Sequence, residues 1–393
     1  MSNYAYSQSN DLISALPALE AKLMKTSCLK PRPFLDIEGA YWVPGDLSLI
    51  PKIILGQVPA GSRKQQLLKI IQYSLGRCSN YRQLNSRAEL IIVKSQCHKI
   101  RVLYPNFILK VVRKQSDLEI PWLVKELEGR AAMRASSAGQ IHVPRVIASG
   151  EEKGLYYLLE ERLNCRPINQ YNSDEKQQIK EELLPLLMDW YEPIRWDSMA
   201  HLLGEQPEAL VEKALITSSL AEMEPDMVQV FNDVADHIDD YNIHIPVAMA
   251  HGDMNILNVC VTPKGKLVLV DWEKWGKHPV LMEFIYLARV FGFRSDVYHQ
   301  IRQSYNRRFA GSDAGFDEQV LVYYFLKCSQ KLVKISQIQN SQSHQPLYPK
   351  KTGDVSQSQR YVLRKLKICQ NLLDNINERQ GSVPRQTCQL PLY

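Results

Sequence analysis

Short apolar runs rich in β-branched residues fill the chain from about residue 67 to residue 163, with turn-forming residues between them. This pattern is typical of β-strands. From residue 173 onward, apolar side chains instead recur every three or four positions, which predicts amphipathic helices. The clearest strand candidates are 88–95, 99–104 and 107–112, and the clearest helix candidates are 175–190, 207–221 and 226–241. The two patterns predict an α+β protein in which a β-rich part precedes a larger helical part.

The same patterns predict where the parts begin and end. In the first 66 residues, leucines at helical spacing predict a helix that Asp11 could cap. The helix expected within the β-rich part spans about residues 118–136. The predicted parts are an N-terminal extension at 1–66, a β-rich lobe at 67–163, a helical lobe at 164–379 and a flexible tail at 380–393.

Composition is that of a soluble globular protein. The chain has 393 residues, of which 45% are hydrophobic and 23% are charged, so its length favours two lobes over one domain. The net charge of +6 is spread over many positions without a long basic block. A balance of this kind suits a protein that binds a nucleotide polyanion but gives no case for a nucleic-acid partner.

The cysteines and the hydropathy predict a cytoplasmic protein. The eight cysteines are scattered without a CxxC pair, so neither a zinc site nor a disulfide scaffold is indicated. The N-terminal residues lack the basic and apolar regions of a signal peptide, and no run of about 18 apolar residues suggests a membrane span. The oligomeric state cannot be predicted from these features.

The segment 248–291 contains the strongest candidate site. Two β-rich apolar runs, 256–261 and 267–270, flank a Thr-Pro-Lys-Gly-Lys turn and therefore predict a hairpin. Because a hairpin brings its two ends together, Asn258 at the start of the first strand is expected near Asp271 at the end of the second. An amide oxygen beside a carboxylate makes a hard-ligand site that suits Mg²⁺.

A second carboxylate, Asp253, lies on the tight loop just before this hairpin. Because the metal does not need it, it is available to accept a proton from a hydroxyl. The residues at 251–253 and 258 spell HGDxxxxN, and those at 271–273 spell DWE. This combination resembles the catalytic core of the aminoglycoside phosphotransferase and choline kinase family, distant relatives of the protein kinases.

The resemblance implies a protein-kinase-like fold with two lobes. The N-lobe is a small antiparallel β-sheet with one main helix, and the C-lobe is larger and mostly helical. ATP and Mg²⁺ are the implied cofactors. Position by position, Asp253 is implied to be the catalytic base, and Asn258 and Asp271 are implied to hold Mg²⁺. Glu283 occupies the place of an acid that supports the catalytic loop in relatives, where aspartate is the usual residue.

A lysine interrupts the apolar strand 107–112 at position 110. A buried lysine is costly unless it is paired, so Lys110 is expected either at a strand edge or beside an anion. The resemblance implies that this lysine binds the α- and β-phosphates and is supported by a glutamate on the next helix. The two candidates for that glutamate are Glu126 and Glu128, of which Glu128 is favoured.

Two further segments are implied to contact the nucleotide. The stretch 73–82 resembles the turn that covers the phosphates, with Gly76, Ser79 and Asn80 at its tip. An ordinary hairpin turn is the alternative interpretation. The stretch 160–167 resembles the hinge between lobes, whose backbone near Glu161 and Leu163 would hold adenine. It departs from the family pattern at Glu160, which is polar for an adenine pocket, and at Cys165, where glycine is frequent.

The sequence thus predicts an ATP-dependent phosphotransferase that acts on a hydroxyl of a small molecule such as a sugar, an amino sugar or an amino alcohol. Two alternatives stay open. A non-catalytic nucleotide-binding module would explain the weak glycine turn but not the presence of Asp253. A protein kinase is disfavoured because no HRD, DFG or APE-type segment is present.

Overall fold

The chain divides into two compact units. The computed structural model describes residues 3–24, 32–37, 41–44, 80–84, 86–94, 99–113, 122–137, 139–169, 171–217, 220, 223–293, 295–310, 314–343 and 352–379. Unit 1 comprises Met1–Ala135, Ile141–Arg166 and Cys260–Glu273, and unit 2 comprises Ser136–Gln140, Pro167–Val259 and Lys274–Tyr393. The change of unit after Arg166 lies near the predicted end of the β-rich lobe, whereas no change of unit falls near residue 66.

An antiparallel sheet of eight strands is the largest element in the described part of unit 1. The strands are β1 (Arg32–Ile37), β2 (Tyr41–Pro44), β3 (Asn80–Leu84), β4 (Leu90–Lys94), β5 (Lys99–Leu103), β6 (Phe107–Arg113), β7 (Val146–Glu152) and β8 (Leu155–Glu161). Their order across the sheet is β3-β1-β2-β4-β5-β6-β8-β7. The strands predicted at 88–95, 99–104 and 107–112 correspond to β4, β5 and β6, because their β-branched side chains suit a sheet buried by packing.

A helix near the N-terminus, α1 (Asn3–Met24), packs against this sheet. Its leucines at 12, 16 and 19 are buried in one apolar cluster with Phe34 of β1. The helix begins at Asn3, so Asp11 lies inside it and not at its cap. Leu12, Leu16 and Leu19 therefore contribute to the core of unit 1, although they lie in the segment 1–66 that was predicted to be an N-terminal extension.

Unit 1 also contains the second helix and the hairpin of the candidate site. The helix α2 (Trp122–Ser136) follows β6, and its starting point lies within the predicted range 118–136. The strand β13 (Leu267–Leu269) pairs with β12 (Val259–Val261). Gly265 in their turn has a φ of +77°, a left-handed conformation that glycine adopts at little cost. The predicted hairpin is present with the predicted turn.

Unit 2 is mostly helical. Its helices are α3 (Ser173–Gln178), α4 (Leu184–Trp190), α5 (Met199–Leu203), α6 (Pro207–Leu215), α7 (Pro225–His237), α8 (Val280–Phe291), α9 (Asp296–Arg308), α10 (Phe316–Ser343) and α11 (Thr352–Arg379). A small antiparallel sheet has the order β10-β11-β14, formed by β10 (Arg195–Ser198), β11 (His244–Ala250) and β14 (Gly276–Pro279). A two-residue strand, β9 (Arg166–Pro167), precedes these elements.

The helices of unit 2 enclose an aromatic core. Phe231 of α7 contacts Phe325 of α10, with ring centroids 4.6 Å apart. Tyr305 of α9 lies 4.8 Å from Phe316 by the same measure. The helical spacing of apolar residues predicted α6 and α7, each of which buries one stripe of its surface. None of the helices in the described ranges combines the length and the apolar character that a membrane span requires.

Candidate active site

Lys110 lies on β6 and forms a buried ion pair with helix α2. Its Nζ atom is 2.7 Å from Oε1 of Glu126, and the two side chains are 3% and 0% exposed. Glu128, which the sequence interpretation favoured as the partner, is exposed to solvent. The prediction of Glu128 was wrong because residues two apart on a helix point to nearly opposite sides. The glutamate that supports Lys110 is Glu126.

Glu126 is the centre of a buried charge network. Arg130 places Nη2 2.6 Å from Oε1 of Glu126, and the same nitrogen also pairs with Glu160 of β8. Burial alone would raise the pKa of Glu126, but the charges of Lys110 and Arg130 lower it to about 2. Glu160 is therefore held in this network, which explains a polar residue at the position that had been compared with an adenine pocket.

Asp271 lies two residues beyond β13 and also carries cationic partners. The Nη2 atom of Arg101 is 2.6 Å from both carboxylate oxygens. The Nζ atoms of Lys110 and Lys99 are 3.8 and 3.9 Å from Oδ1. Asp271 has a φ of +69°, a left-handed conformation that is uncommon for a residue with a side chain and is often found at functional sites.

Lys99 has two further partners. It pairs with Glu273, the last residue of the DWE motif, and its Nζ atom lies 5.2 Å from the ring centroid of Trp122. Burial, followed by the nearby charges of Lys110 and Arg101, lowers the pKa of Lys99. Trp272 is fully buried, as expected for a packing residue.

The strand order changes the interpretation of the nucleotide-covering turn. Gly76 and Ser79 lie outside the described residues, and Asn80 is the first residue of β3. Four strands separate β3 from β6. At roughly 4.8 Å per strand, this places β3 about 24 Å across the sheet from the strand of Lys110. The placement of Asn80 at the phosphates was therefore wrong, because a local turn signal does not give the order of strands.

The strand that pairs with β6 on the side away from β8 is β5, and β4 and β5 form the next pair of strands. These two strands pair from Leu90↔Leu103 to Lys94↔Lys99, and β5 pairs with β6. The connecting residues 95–98 lie outside the described ranges.

The predicted hinge segment follows β8. The Oε1 atom of Glu161 accepts the backbone N–H of Arg145 at 2.6 Å and lies 2.9 Å from Nε2 of His142. These hydrogen bonds outweigh burial and lower the pKa of Glu161. The carbonyl of Leu163 accepts the N–H of Cys165 at 3.0 Å. The side chain of Glu161 thus fixes the end of β8, while a role of this backbone toward adenine stays a prediction.

In unit 2, the HGD motif forms the loop after β11. His251 is fully buried, and its Nδ1 atom accepts the N–H of Asp253 at 3.3 Å. Gly252 has a φ of +78°, and a Cβ atom there would lie 2.4 Å from the carbonyl oxygen of Lys274 and 2.6 Å from Nε2 of His278. Glycine is required at this position both by the conformation and by the lack of space.

Glu283 of α8 supports this loop through a hydrogen bond to its backbone. Its Oε1 atom accepts the N–H of Gly252 at 2.8 Å, and its Oε2 atom accepts the hydroxyl of Tyr191 at 2.9 Å. Burial raises the pKa of Glu283 to about 7, despite both hydrogen bonds, and the charge of Asp253 acts in the same direction. The longer glutamate therefore performs the support that aspartate was expected to provide.

The two polar residues of the loop are positioned differently. The amide nitrogen of Asn258 donates to the carbonyl of Asp253 at 2.8 Å, which closes the loop. The side chain of Asp253 is about one quarter exposed, and its Oδ2 atom lies 3.0 Å from Nζ of Lys274. Asp253 thus presents a partly accessible carboxylate with a neighbouring cation.

Asn258 and Asp271 each carry an oxygen donor of the kind that Mg²⁺ prefers. Because the amide nitrogen of Asn258 is used inside the loop, its oxygen is the atom left for coordination. The carboxylate of Asp271 attracts three cationic side chains within 3.9 Å, so positive charge is stabilised at this position. Amide and carboxylate oxygens are the hard ligands that Mg²⁺ prefers.

Sequence reasoning missed Lys99, Arg101 and Lys274 as members of the site. The first two alternate along β5, and Arg101 lies directly opposite Lys110 in the antiparallel register. Residues two apart on a strand share a face, so the pattern Lys-x-Arg in the strand next to Lys110 was the available signal. The proximity of Lys274 to Asp253 had no comparable signal beyond its place after the DWE motif.

The fold is α+β, with an eight-stranded antiparallel sheet and many helices in the part of the chain that the structure describes. The family profile described as "Phosphotransferase enzyme family" (APH) matches residues 99–318, more than half of the chain. The chain therefore belongs to the APH phosphotransferase family. A comparison with curated proteins finds no match.

Several solved structures are similar to the chain at low identity. One is an aminoglycoside phosphotransferase from Alicyclobacillus acidocaldarius, with 10% identity, a TM-score of 0.44, and coverage of 75% of this chain and 93% of that chain. A second is the choline kinase LicA from Streptococcus pneumoniae, with 12% identity, a TM-score of 0.37, and coverage of 77% and 99%. A third is the spectinomycin phosphotransferase APH(9)-Ia, solved with ADP and spectinomycin, with 10% identity, a TM-score of 0.42, and coverage of 70% and 89%.

Proposed function

We propose that the protein transfers the γ-phosphate of ATP to a hydroxyl group of a small molecule and that it requires Mg²⁺. The observation that carries this proposal is the loop of Asp253, which Gly252, Asn258 and the buried Glu283 hold in a fixed conformation. A fixed loop with a partly exposed carboxylate suits a general base more than a structural turn. Membership of the phosphotransferase family supports the same reaction.

Asp253 is proposed to orient the acceptor hydroxyl and to take its proton. The transition state of phosphoryl transfer is loose, so the proton leaves late and positioning matters more than basicity. Lys274, 3.0 Å from Asp253, would hold the carboxylate in one orientation until the acceptor arrives. The acceptor class proposed from the sequence is a sugar, an amino sugar or an amino alcohol.

Lys110 is proposed to bind the α- and β-phosphates, with Glu126 fixing its position. Asn258 and Asp271 are proposed to hold Mg²⁺, which would neutralise charge on the phosphates. The backbone near Glu161 and Leu163 is proposed to bind adenine.

A non-catalytic nucleotide-binding protein is the second candidate. The observation that favours it is the pairing of Asp271 with Arg101, because both carboxylate oxygens of the proposed metal ligand are already occupied. The two candidates differ in turnover but not in ATP binding.

The deciding experiment measures ATP turnover against a panel of sugars, amino sugars and amino alcohols, with ATP binding followed by calorimetry. Asp253→Asn keeps the size of the side chain but loses the charge and most of the proton acceptance. Turnover is expected to fall by roughly 10²–10⁴-fold, while Mg²⁺-dependent ATP binding stays nearly unchanged. Asp239→Asn, at an exposed aspartate of the same unit, is the matched control. Full activity of Asp253→Asn would refute the base assignment, and ATP binding without turnover on any acceptor would favour the second candidate.

A further inference from the structure

The strand β5 places two cations beside the proposed metal ligand in addition to Lys110. Arg101 and Lys110 are cross-strand neighbours, and Lys99 lies two residues from Arg101 on the same face of the sheet. All three side chains converge on the carboxylate of Asp271. The positive charge around Asp271 therefore exceeds the single cation that would neutralise one carboxylate.

The three cations differ in what they would keep if Asp271 were engaged elsewhere. Lys110 would still pair with Glu126, and Lys99 would still pair with Glu273. Arg101 forms ion pairs with no carboxylate other than Asp271 in the part of the chain that the structure describes. Arg101 is therefore the cation whose partner depends on the state of Asp271.

Arg101 also has an unsatisfied donor. Its Nε atom is buried and has no hydrogen-bond partner among the described residues. A buried donor without a partner is costly, so an acceptor with several oxygens would stabilise this guanidinium. A phosphate group has this chemistry, because its oxygens match the fork of an arginine.

We propose that Arg101 is a positioning residue that alternates between two anions. In the metal-free protein it holds the carboxylate of Asp271 in place of the divalent cation. When Mg²⁺ and the nucleotide are bound, Arg101 releases Asp271 and binds the nucleotide phosphates on the same face of the sheet as Lys110. This inference rests on the proposed function, because it takes Asp271 as the metal ligand.

Arg101 thereby acts in opposite directions on the free metal ion and on the metal–nucleotide complex. Arg101 competes with the metal for Asp271 when no nucleotide is present, but it assists binding of the metal–nucleotide complex. Removal of the guanidinium should therefore change the two affinities in opposite directions. A residue that only stabilises the fold would weaken both or neither.

The test uses the full chain and the substitution Arg101→Gln. Binding of Mn²⁺, a spectroscopic substitute for Mg²⁺, is measured by electron paramagnetic resonance without nucleotide and then with ATP present. Without nucleotide, Arg101→Gln is expected to bind Mn²⁺ about tenfold more tightly, the scale of one lost charge-assisted hydrogen bond. With ATP, the same variant is expected to bind the complex about tenfold more weakly. Arg87→Gln, at an exposed arginine of unit 1, should change neither affinity.

Two further variants separate the possible failures. Arg101→Lys keeps the positive charge but not the forked geometry of the guanidinium, so both of its Mn²⁺ affinities should lie between those of the wild type and Arg101→Gln. It also replaces Arg101→Gln in the test if that variant does not fold. If Asp271→Asn abolishes Mn²⁺ binding while neither Arg101 variant tightens it, the alternation is refuted and the metal assignment stands. If Asp271→Asn leaves Mn²⁺ binding unchanged, Asp271 is not the metal ligand, and the proposed alternation of Arg101 is refuted as well.

Discussion

Glu283 accepts a hydrogen bond from the backbone N–H of Gly252 at 2.8 Å, one residue before the proposed base Asp253. A side chain on helix α8 therefore fixes the conformation of the HGD loop. The same carboxyl group accepts the hydroxyl of Tyr191, so the loop, α8 and the residue after α4 are linked through one buried acid. This acid also has a raised pKa, which gives the linkage a dependence on pH.

The first prediction concerns the stability of the wild type between pH 4.5 and pH 8. Burial raises the pKa of Glu283 in the folded protein to about 7, whereas the ordinary pKa of a glutamate in water is 4.5. Because the neutral carboxyl is favoured in the folded state, its contribution is complete below pH 4.5 and is lost as the pH rises to about 7. From this shift, the loss is about 3 kcal/mol of the free energy of unfolding.

Glu283→Gln removes this titration because an amide does not ionise. Urea unfolding at intervals between pH 4.5 and pH 8 should therefore show that the variant gains stability relative to the wild type as the pH rises. Glu212→Gln, at an exposed glutamate of unit 2, serves as the control and should follow the wild type. Parallel pH profiles for the wild type and Glu283→Gln would show that Glu283 does not titrate in this range.

The second prediction compares two glutamates on helix α2. Glu126→Gln removes the nearer of the two anions that Lys110 shares with the buried Arg130, so it should lower the free energy of unfolding by about 3 kcal/mol and weaken ATP binding. Glu128→Gln changes an exposed side chain and should stay within about 0.5 kcal/mol of the wild type. Urea unfolding and ATP calorimetry provide the measurements. Equal effects of the two substitutions would contradict the assignment of Glu126.

The sequence predicted the strand of Lys110 and the HGD loop because each depends on local features. A lysine inside an apolar β-rich run must find an anion when it is buried, and Glu126 is that anion. The choice between Glu126 and Glu128 was also open to prediction. Leu123, Arg130 and Met133 are buried on α2, and Glu126 shares their spacing of three, four and seven residues, whereas Glu128 does not.

Other features depend on pairing between distant segments and could not be predicted from local patterns. The turn signal at 73–82 gives no information on strand order, which places β3 at the edge of the sheet far from β6. The role of α1 in the core of unit 1 depends on which surface its leucines meet. The ion pair between Arg101 and Asp271 joins residues 170 positions apart in the sequence.

The third prediction concerns Glu20 on α1. This buried carboxylate accepts hydrogen bonds from the hydroxyls of Ser86 and Tyr104 and from the backbone N–H of Arg87. Glu20→Ala leaves these donors buried without an acceptor, so the free energy of unfolding should fall by about 2–4 kcal/mol. Lys22→Ala, on the exposed side of the same helix, should leave the free energy of unfolding nearly unchanged.

A double-mutant cycle tests whether the loss arises from the hydrogen bonds. Tyr104→Phe removes one donor, so Glu20→Ala should cost less in that background than in the wild type. If α1 were an accessory extension, Glu20→Ala would leave the unfolding of the protein unchanged. Additive effects of the two substitutions would show that the hydroxyl of Tyr104 and Glu20 are not coupled.

The last prediction concerns the reactivity of Cys165, which lies two residues after the predicted hinge residue Leu163. A hydrogen bond from the thiol of Cys260 lowers the pKa of Cys165 to about 7, and Cys165 is partly exposed. Alkylation by iodoacetamide, followed by mass spectrometry of the Cys165 peptide, should therefore show a midpoint near pH 7, because the thiolate is the nucleophile. Cys260→Ala removes the donor, so the midpoint should rise toward 9, the ordinary value for the group. Cys369 is buried with its pKa raised to about 12 and should stay unreacted in the folded protein. A midpoint near pH 9 in both the wild type and Cys260→Ala would refute the thiol pair.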